Sequence, residues 1–175
     1  MTALIIYSTV DGQTLRICER LKVRFESAGW TVRLSTVAEA GGLDLAAFER
    51  IVIGASIRYG KHRADLVQFL VDRGAQLSRQ RTAFFTVNVV ARKPEKNRPD
   101  TNPYMVKLMK RLDWRPALLD VFAGKIDYPR YGFFDRQIIR FIMFLTKGPT
   151  GANDVVEFTD WARVDAFAEA VLALS

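Results

Sequence analysis

Short apolar runs alternate along this chain with segments in which apolar residues recur at helical spacing. The first run, Ala3–Tyr7, precedes a segment with Ile17, Leu21 and Phe25 at i, i+4 and i+8, closed by Gly29. A parallel sheet with helices on both faces produces this alternation, because its strands are buried on both sides. We therefore predict a doubly wound α/β fold with five parallel strands in the order 2-1-3-4-5. The later strands are predicted at Trp30–Leu34, Arg50–Ala55, Thr82–Val90 and Ala117–Ala123, and the later helices at Ala64–Leu77, Tyr104–Leu112 and Asp160–Leu174.

The length of 175 residues suits one domain with a full-sized core. We predict a single domain over residues 1–175 with an insertion at about 125–153, which lies outside the five-strand plan. The insertion contains the sequence FFDRQIIRFIMFLTK at 133–147, which predicts an additional helix before the last one.

The chain is strongly basic, with 26 Lys and Arg against 19 Asp and Glu, a net charge of +7. Such a surface favours anionic partners, whether nucleic acid, anionic lipid or a polycarboxylate substrate. The single cysteine, Cys18, excludes an internal disulfide and fits a reducing compartment, so we expect a cytoplasmic protein. Neither a secretory pattern nor an apolar run of about 18 residues is recognisable. Cys18 lies beside the apolar stripe of the first helix and is expected to pack rather than react.

Hydroxyl side chains are concentrated in the loop between the first strand and the first helix. Ser8, Thr9 and Thr14 could donate to a phosphate, and Gly12 permits a tight backbone. Asp11 opposes this interpretation unless its carboxylate points away. The loop lacks the glycine patterns of nucleoside triphosphate and dinucleotide sites. From spacing alone, a turn with Thr14 as a helix cap is an equal alternative.

Two further loops follow strands at the same predicted edge of the sheet. Ser56–Gly60 follows the third strand and Asn88–Ala91 follows the fourth. Tyr59 could form one wall of a site for a flat ring, although an exposed loop tyrosine is the alternative. His62, the only histidine, is expected to be a surface residue at the start of a helix.

Several motifs together give the chain a specific resemblance. It resembles the flavodoxin-like, quinone-dependent protoporphyrinogen oxidases of bacterial haem synthesis over nearly its whole length, and this implies a flavodoxin-like sheet. The motifs are the loop 8–14, IGASIRYG at 53–60, VNVVARKPEK at 87–96, WRP at 114–116, YPRY at 128–131 and TDW at 159–161.

The resemblance implies a non-covalent FMN held at these three loops, with no metal. Simple flavodoxins have Thr-Gly-Asn-Thr where this loop has Asp-Gly-Gln-Thr. No catalytic side chain is assigned, because the chemistry would occur at flavin N5. The implied cofactor residues are Ser8, Thr9, Asp11, Gly12, Gln13 and Thr14; Ser56, Ile57, Arg58, Tyr59 and Gly60; and Asn88, Val89, Val90 and Ala91.

The implied reaction is the six-electron oxidation of protoporphyrinogen IX to protoporphyrin IX in three two-electron steps, with electrons passed to a membrane quinone. Because the substrate carries two propionates, cationic side chains near the flavin are candidate anchors. For each of them a solvated surface charge is the alternative. The candidates are Arg58, Lys61, Arg63, Arg92, Lys93 and Lys96.

The helix predicted in the insertion is strongly amphipathic and too short to span a bilayer. Arg136, Arg140 and Lys147 lie on one side, which is typical of an interfacial helix. We expect it to dock on the membrane, with the protein peripherally associated with the inner (plasma) membrane, or to cap the substrate pocket. A core helix packed on the sheet is the alternative. The apolar stripe is Phe134, Ile138, Phe141, Ile142 and Leu145.

Three other functions stay open at this point. An electron-carrier flavodoxin is disfavoured by the basic charge and by the insertion. An NAD(P)H:quinone reductase shows no visible nicotinamide signature, but such enzymes often lack one. A nucleic-acid binder would need aromatic residues interleaved with Arg and Lys on one face, whereas most aromatic residues here lie in core-like runs, and we expect no nucleic-acid partner.

Overall fold

Five parallel strands form one sheet in the order β2-β1-β3-β4-β5, which confirms the predicted topology. The computed structural model describes residues 1–174. Right-handed crossovers place α-helices on both faces of such a sheet and bring the loops that follow the strands to its carboxyl edge. The strands are β1 (Thr2–Ser8), β2 (Thr31–Thr36), β3 (Arg50–Ser56), β4 (Arg81–Asn88) and β5 (Leu118–Ala123).

Seven α-helices and a small second sheet complete the described chain. The second sheet is the antiparallel pair β6 (Lys125–Asp127) and β7 (Val155–Glu157), which brackets the insertion. The helices are α1 (Gln13–Ser27), α2 (Val37–Ala40), α3 (Ala64–Asp72), α4 (Gly74–Leu77), α5 (Pro103–Met109), α6 (Phe133–Leu145) and α7 (Trp161–Leu172).

The main sheet separates two apolar layers. On one face, α1 and α7 cover Phe85 and Phe122, which contact each other and Phe167 edge to face, with ring centroids 5.2–5.8 Å apart. On the other face, α3, α4 and α5 cover β-strand residues such as Phe84. Cys18 is fully buried in the first layer, and burial raises the pKa of its thiol, so it packs as expected.

The predicted end of α1 at Gly29 is confirmed. Gly29 has φ +83°, and the N–H groups of Gly29 and Trp30 donate to the carbonyls of Glu26 and Phe25. This is the Schellman pattern, which requires a residue with positive φ directly after the helix.

The predicted helix Ala64–Leu77 is interrupted at Arg73. The indole N–H of Trp114 donates to the carbonyl of Leu70 at 3.0 Å, the carbonyl that a continuous helix would pair with Gly74. A Cβ on Gly74 would lie 2.7 Å from Trp114 Cδ1. The helix therefore breaks where the tryptophan, from a distant part of the chain, packs against it.

The predicted strand Thr82–Val90 also ends early. The Asn88 side-chain oxygen accepts from the N–H of Ala91 at 3.0 Å, and this bond begins a 3-10 turn over Val89–Arg92. An asparagine that captures a nearby backbone N–H offers the chain an alternative to the strand ladder. The strand consequently stops at Asn88, at the rim of the sheet.

Candidate functional site

A cleft of about 870 Å³, counted to its open mouth, lies at the carboxyl edge of the main sheet. Its walls come from the loops after β1, β3 and β4, from Tyr104, and from the insertion. Doubly wound sheets bind ligands at this edge. The structure therefore brings together the three loops that the sequence predicted to share a site.

The loop after β1 is shaped by Gly12. This residue has φ +87° and is the N-cap of α1, and its N–H donates to Thr9 Oγ1 at 3.0 Å. Because Gly12 is the cap, the alternative in which Thr14 caps the helix is wrong. The N–H groups of the first turn, including those of Gln13 and Thr14, have no intrahelical acceptor and are available to an anion.

Four buried polar atoms at this edge lack a hydrogen-bond partner. They are Ser8 Oγ, Thr14 Oγ1, Ser56 Oγ and Asn88 Nδ2; within residues 1–174 the other such side-chain atoms are the Nε atoms of two arginines. Burying a donor or acceptor unpaired costs about 1–3 kcal/mol. Their concentration where β1, β3 and β4 end fits a site built for a ligand rich in acceptor oxygens, such as a phosphate ester.

The Asp11 carboxylate lines the cleft and is paired with a cation of the protein. Its Oδ2 lies 2.8 Å from Nη1 of Arg58, on the loop after β3. Burial lowers the pKa of Arg58, but Asp11 and Asp135 outweigh burial and raise it, so the guanidinium stays charged. The repulsion expected between Asp11 and a phosphate is therefore offset by Arg58.

A tight turn holds Tyr59 at the rim of the cleft. Arg58 and Lys61 exchange both backbone hydrogen bonds, at 3.0 and 3.1 Å, around Tyr59 (φ +50°) and Gly60 (φ +72°). Two consecutive positive φ values are typical of a type I′ turn, and for a tyrosine this conformation is strained. Tyr59 is 55% exposed, a value that fits the wall of a site and an exposed loop tyrosine equally well.

The model of the flavodoxin domain family matches residues 4–153 of the chain. The chain belongs to this family. Protoporphyrinogen IX dehydrogenase (quinone) from Escherichia coli K12 is 38% identical over 175 residues, covering 100% of this chain and 97% of that protein. The protein of the same name from Leishmania major is 40% identical over 173 residues, covering 98% of this chain and 74% of that protein. These matches confirm the resemblance seen in the motifs.

Solved flavodoxins share the fold of this flavodoxin-family chain. Oxidised Flavodoxin 1 from Bacillus cereus superposes with a TM-score of 0.54 at 10% identity and covers 100% of both chains. A Streptococcus pneumoniae TIGR4 flavodoxin gives 0.54 at 11% identity and covers 99% of both. At such low identity these structures show the sheet and its helices, which agree with the topology described above.

A second cavity of the flavodoxin domain, of about 1030 Å³, shares the loop after β1 with the cleft. Gly12, Arg16, Lys125 and Arg130 are among the residues that line it. Sequence reasoning missed Lys125 and Arg130 as site residues, although Arg130 lies in the YPRY motif. Lys125 lies two residues after the end of β5, at the carboxyl edge of the sheet, and this position is the signal that could have identified it.

The predicted cofactor residues differ in how they face the cleft. The Gln13 side chain donates to Glu157 at 3.0 Å and to Thr159 at 2.9 Å, so it ties α1 to β7 and to the segment that follows it. Ala91 is buried outside the lining of the cleft, with its N–H held by Asn88. Because the Gln13 amide is already paired, the backbone atoms of its loop are the groups available to a ligand.

Of the six cations predicted to meet the substrate, only Arg58 lines the cleft. Arg92 donates to Thr146 O at 2.8 Å and fastens the end of α6. Arg63 pairs with Asp65 at 3.0 Å, and Lys61 lines a separate cavity between α3 and α5. Lys93 and Lys96 lie outside the cleft lining as well. As substrate contacts, these five residues stay a prediction.

The insertion helix α6 covers the cleft with one face and exposes the other. Ile139, Ile142 and Met143 line the cleft. Phe134 is 78% exposed and Phe141 63%, so the alternative of a core helix is wrong. The other members of the predicted stripe, Ile138, Ile142 and Leu145, are 45%, 39% and 63% exposed. No helix within residues 1–174 combines the length and apolar character needed to cross a bilayer.

His62 points inward, contrary to the expected surface position. Its Nε2 lies 3.2 Å from Thr86 Oγ1 on β4, and its ring packs against Phe84 with centroids 6.0 Å apart. Burial lowers the pKa of His62 to about 4. The sequence carried no signal for this because the partners are on β4, more than twenty residues away.

We expect this histidine to make the protein less stable in mild acid. The unfolded chain takes up the proton near pH 6.5, whereas the folded chain resists it to about pH 4. The stabilisation is therefore complete above pH 6.5 and is lost as the pH falls towards 4, by up to about 3 kcal/mol. Urea unfolding of the wild type and of His62→Gln at several pH values isolates this loss. Equal pH dependence of the two proteins would contradict it.

Proposed function

We propose that this protein uses bound FMN to oxidise protoporphyrinogen IX to protoporphyrin IX and passes the electrons to a quinone, as a step of haem synthesis. The observation that carries the proposal is the end-to-end match to protoporphyrinogen IX dehydrogenase (quinone), which covers 100% of this chain, insertion included. Identity of 38% over that length is well beyond what a shared fold alone requires.

The edge of the sheet fits the phosphate of FMN. A phosphomonoester would satisfy the unpaired hydroxyls of Ser8 and Thr14 and the free N–H groups of the first turn of α1. Tyr59 on one side and the loop Asn88–Val90 on the other would flank the ring. When bound, FMN supplies the acceptor for electrons in pairs and their onward transfer to the quinone.

The chain itself contributes apolar walls and one arginine to the cleft. Ile139, Ile142 and Met143 of α6 form an apolar wall along the cleft. Arg58 keeps its charge there and can attract a carboxylate of the substrate. The hydrogen bond from Tyr59, together with Arg58, lowers the pKa of the Asp135 carboxyl, so Asp135 is a poor proton acceptor.

The exposed face of α6 is proposed to meet the membrane that holds the quinone. Phe134, Phe141 and Phe144 present large apolar surfaces to solvent, at 78%, 63% and 73% exposure. An amphipathic helix of this kind inserts its apolar face at the boundary between headgroups and acyl chains. The net charge of +7 suits anionic lipid. We propose peripheral attachment to the cytoplasmic face of the inner membrane.

Anaerobic turnover tests the function. The FMN-loaded protein is mixed with protoporphyrinogen IX and a quinone, and porphyrin fluorescence is followed. We expect quinone-dependent porphyrin formation, and no comparable quinone reduction with NADPH. Reduction of the quinone by NADPH alone would instead identify an NAD(P)H:quinone reductase. If neither protoporphyrinogen nor NADPH reduces the flavin, the result would favour an electron-carrier flavodoxin and would contradict the proposal.

A further inference from the structure

Asp135, in the first turn of α6, inserts its carboxylate between Arg58 and Tyr59. It accepts a hydrogen bond from Arg58 Nη2 through one oxygen and from the Tyr59 hydroxyl through the other. These two donors belong to the turn after β3 and line the cleft, whereas Asp135 itself lies outside the lining. A carboxylate of the protein itself therefore occupies two hydrogen-bond donors that face the proposed substrate site.

The arginine of this donor pair is held in position before any substrate binds. Arg58 is held by Asp11 through Nη1 at 2.8 Å, which leaves Nη2 for a second anion. Its guanidinium carbon lies 5.2 Å from the ring centre of Tyr59 and 5.6 Å from that of Tyr131. The Arg58 side chain is only 18% exposed. A planar guanidinium in contact with two aromatic rings, with a hydroxyl donor beside it, matches the two oxygens of a carboxylate.

Asp135 is the replaceable partner in this arrangement. Its side chain is 33% exposed, against 45% for that of Asp11, so what makes it replaceable is the packing of its helix and not its exposure. Its neighbours Phe133 and Phe134 are 70% and 78% exposed, so little packing holds the first turn of α6. The opposite end of the helix is fastened by Arg92, which donates to the carbonyl of Thr146. The first turn can therefore move away while the helix stays attached at its far end.

We infer that Arg58 and Tyr59 form a carboxylate subsite for one propionate of the substrate, and that Asp135 holds this subsite as an internal competitor. This inference rests on the proposed function, because the porphyrinogen supplies the carboxylate. On binding, the propionate takes the place of Asp135 on Arg58 Nη2 and the Tyr59 hydroxyl, and the first turn of α6 releases the rim of the cleft.

Equilibrium binding of the product tests the subsite without turnover. Protoporphyrin IX and its dimethyl ester are titrated into the FMN-loaded protein, and porphyrin fluorescence gives both Kd values. Arg58→Lys keeps the positive charge but loses the planar guanidinium, which binds Asp11 through Nη1 and the second carboxylate through Nη2. This substitution should weaken binding of the diacid by about tenfold. Asp135→Asn removes the competitor and should tighten binding of the diacid about three- to tenfold. Neither substitution should change the Kd of the ester by a comparable factor.

Glu169→Gln is the matched control, since it breaks an exposed Arg24–Glu169 pair at 2.7 Å between α1 and α7. It should leave both Kd values unchanged. Tyr59→Phe, which removes the second donor, should also act on the diacid alone. Steady-state oxidation of protoporphyrinogen by Asp135→Asn should show a lower KM with little change in kcat.

Each of the following results would overturn the subsite. Equal effects of Arg58→Lys on diacid and ester would mean that the arginine acts only on the structure of the rim. Unchanged diacid binding by Asp135→Asn would mean that Asp135 does not compete. If neither porphyrin binds and no porphyrinogen is oxidised, the proposed function fails together with the subsite. If porphyrinogen is oxidised but the variants leave the ratio of the diacid Kd to the ester Kd unchanged, the subsite alone is refuted.

Discussion

Replacing Thr14 by valine is expected to weaken FMN binding by about ten- to a hundredfold, while the FMN-free protein becomes no less stable. Thr14 is 1% exposed, and its hydroxyl has no partner within the described chain. In the free protein the buried, unpaired hydroxyl lowers the free energy of unfolding, and the methyl group of valine, which has nearly the same shape, removes this penalty. In the complex it would donate to a charged phosphate, a hydrogen bond of about 1.5–3 kcal/mol.

Flavin fluorescence titration gives the Kd, and urea unfolding of the FMN-free protein gives the stability. Thr14→Ser keeps the hydroxyl and is the matched control, with binding expected close to that of the wild type. Opposite signs in the two measurements are the diagnostic result, because a substitution that merely damages the fold would lower both. Unchanged FMN affinity in Thr14→Val would contradict the assignment of the loop after β1 as the phosphate site.

The double substitution of Phe134 and Phe141 by glutamate is expected to reduce binding to anionic vesicles by at least about a hundredfold. Each phenyl ring contributes about 1.5–3 kcal/mol when it leaves water, and the new carboxylates are repelled by anionic headgroups. Ile142, which belongs to the apolar stripe seen in the sequence, is a poor target because it also lines the cleft. FMN binding should be retained in the double variant.

The same change of charge can be made elsewhere on the protein. Val23 and Val71 are 54% and 49% exposed on α1 and α3, so replacing both by glutamate is the matched control. Sedimentation with vesicles containing phosphatidylserine compares the two double variants. Equal loss of binding would mean that net charge alone attracts the protein. Undiminished binding of the α6 variant would contradict membrane contact through this helix.

The strand order and the position of the site follow from local sequence patterns. Buried parallel strands require runs such as Ala3–Tyr7, and each such strand delivers the loop after it to a common edge. The end of α1 was also predictable, because Gly29 supplies the positive φ that its closing turn requires. These features depend on residues close together in the chain.

The features that escaped prediction depend on distant residues. The Gln13 side chain donates a hydrogen bond to Glu157, which is 144 positions away in the chain, and Asp135 accepts one from Arg58, which is 77 positions away. β6 and β7 have only three residues each, too few for a visible alternation. No local pattern could indicate that His62 turns inward to Thr86. The exposure of the α6 phenylalanines likewise depends on how the insertion folds back over the cleft.

Anaerobic stopped-flow mixing is the most direct test of a flavin-dependent porphyrinogen oxidation at this cleft. FMN-loaded protein is mixed with protoporphyrinogen IX or with NADPH, and the visible absorption of the flavin is recorded. We expect protoporphyrinogen to bleach the flavin rapidly, NADPH to leave it oxidised, and added quinone to restore the colour. A protein that retains no FMN, or a flavin that protoporphyrinogen leaves oxidised, would contradict the proposed chemistry.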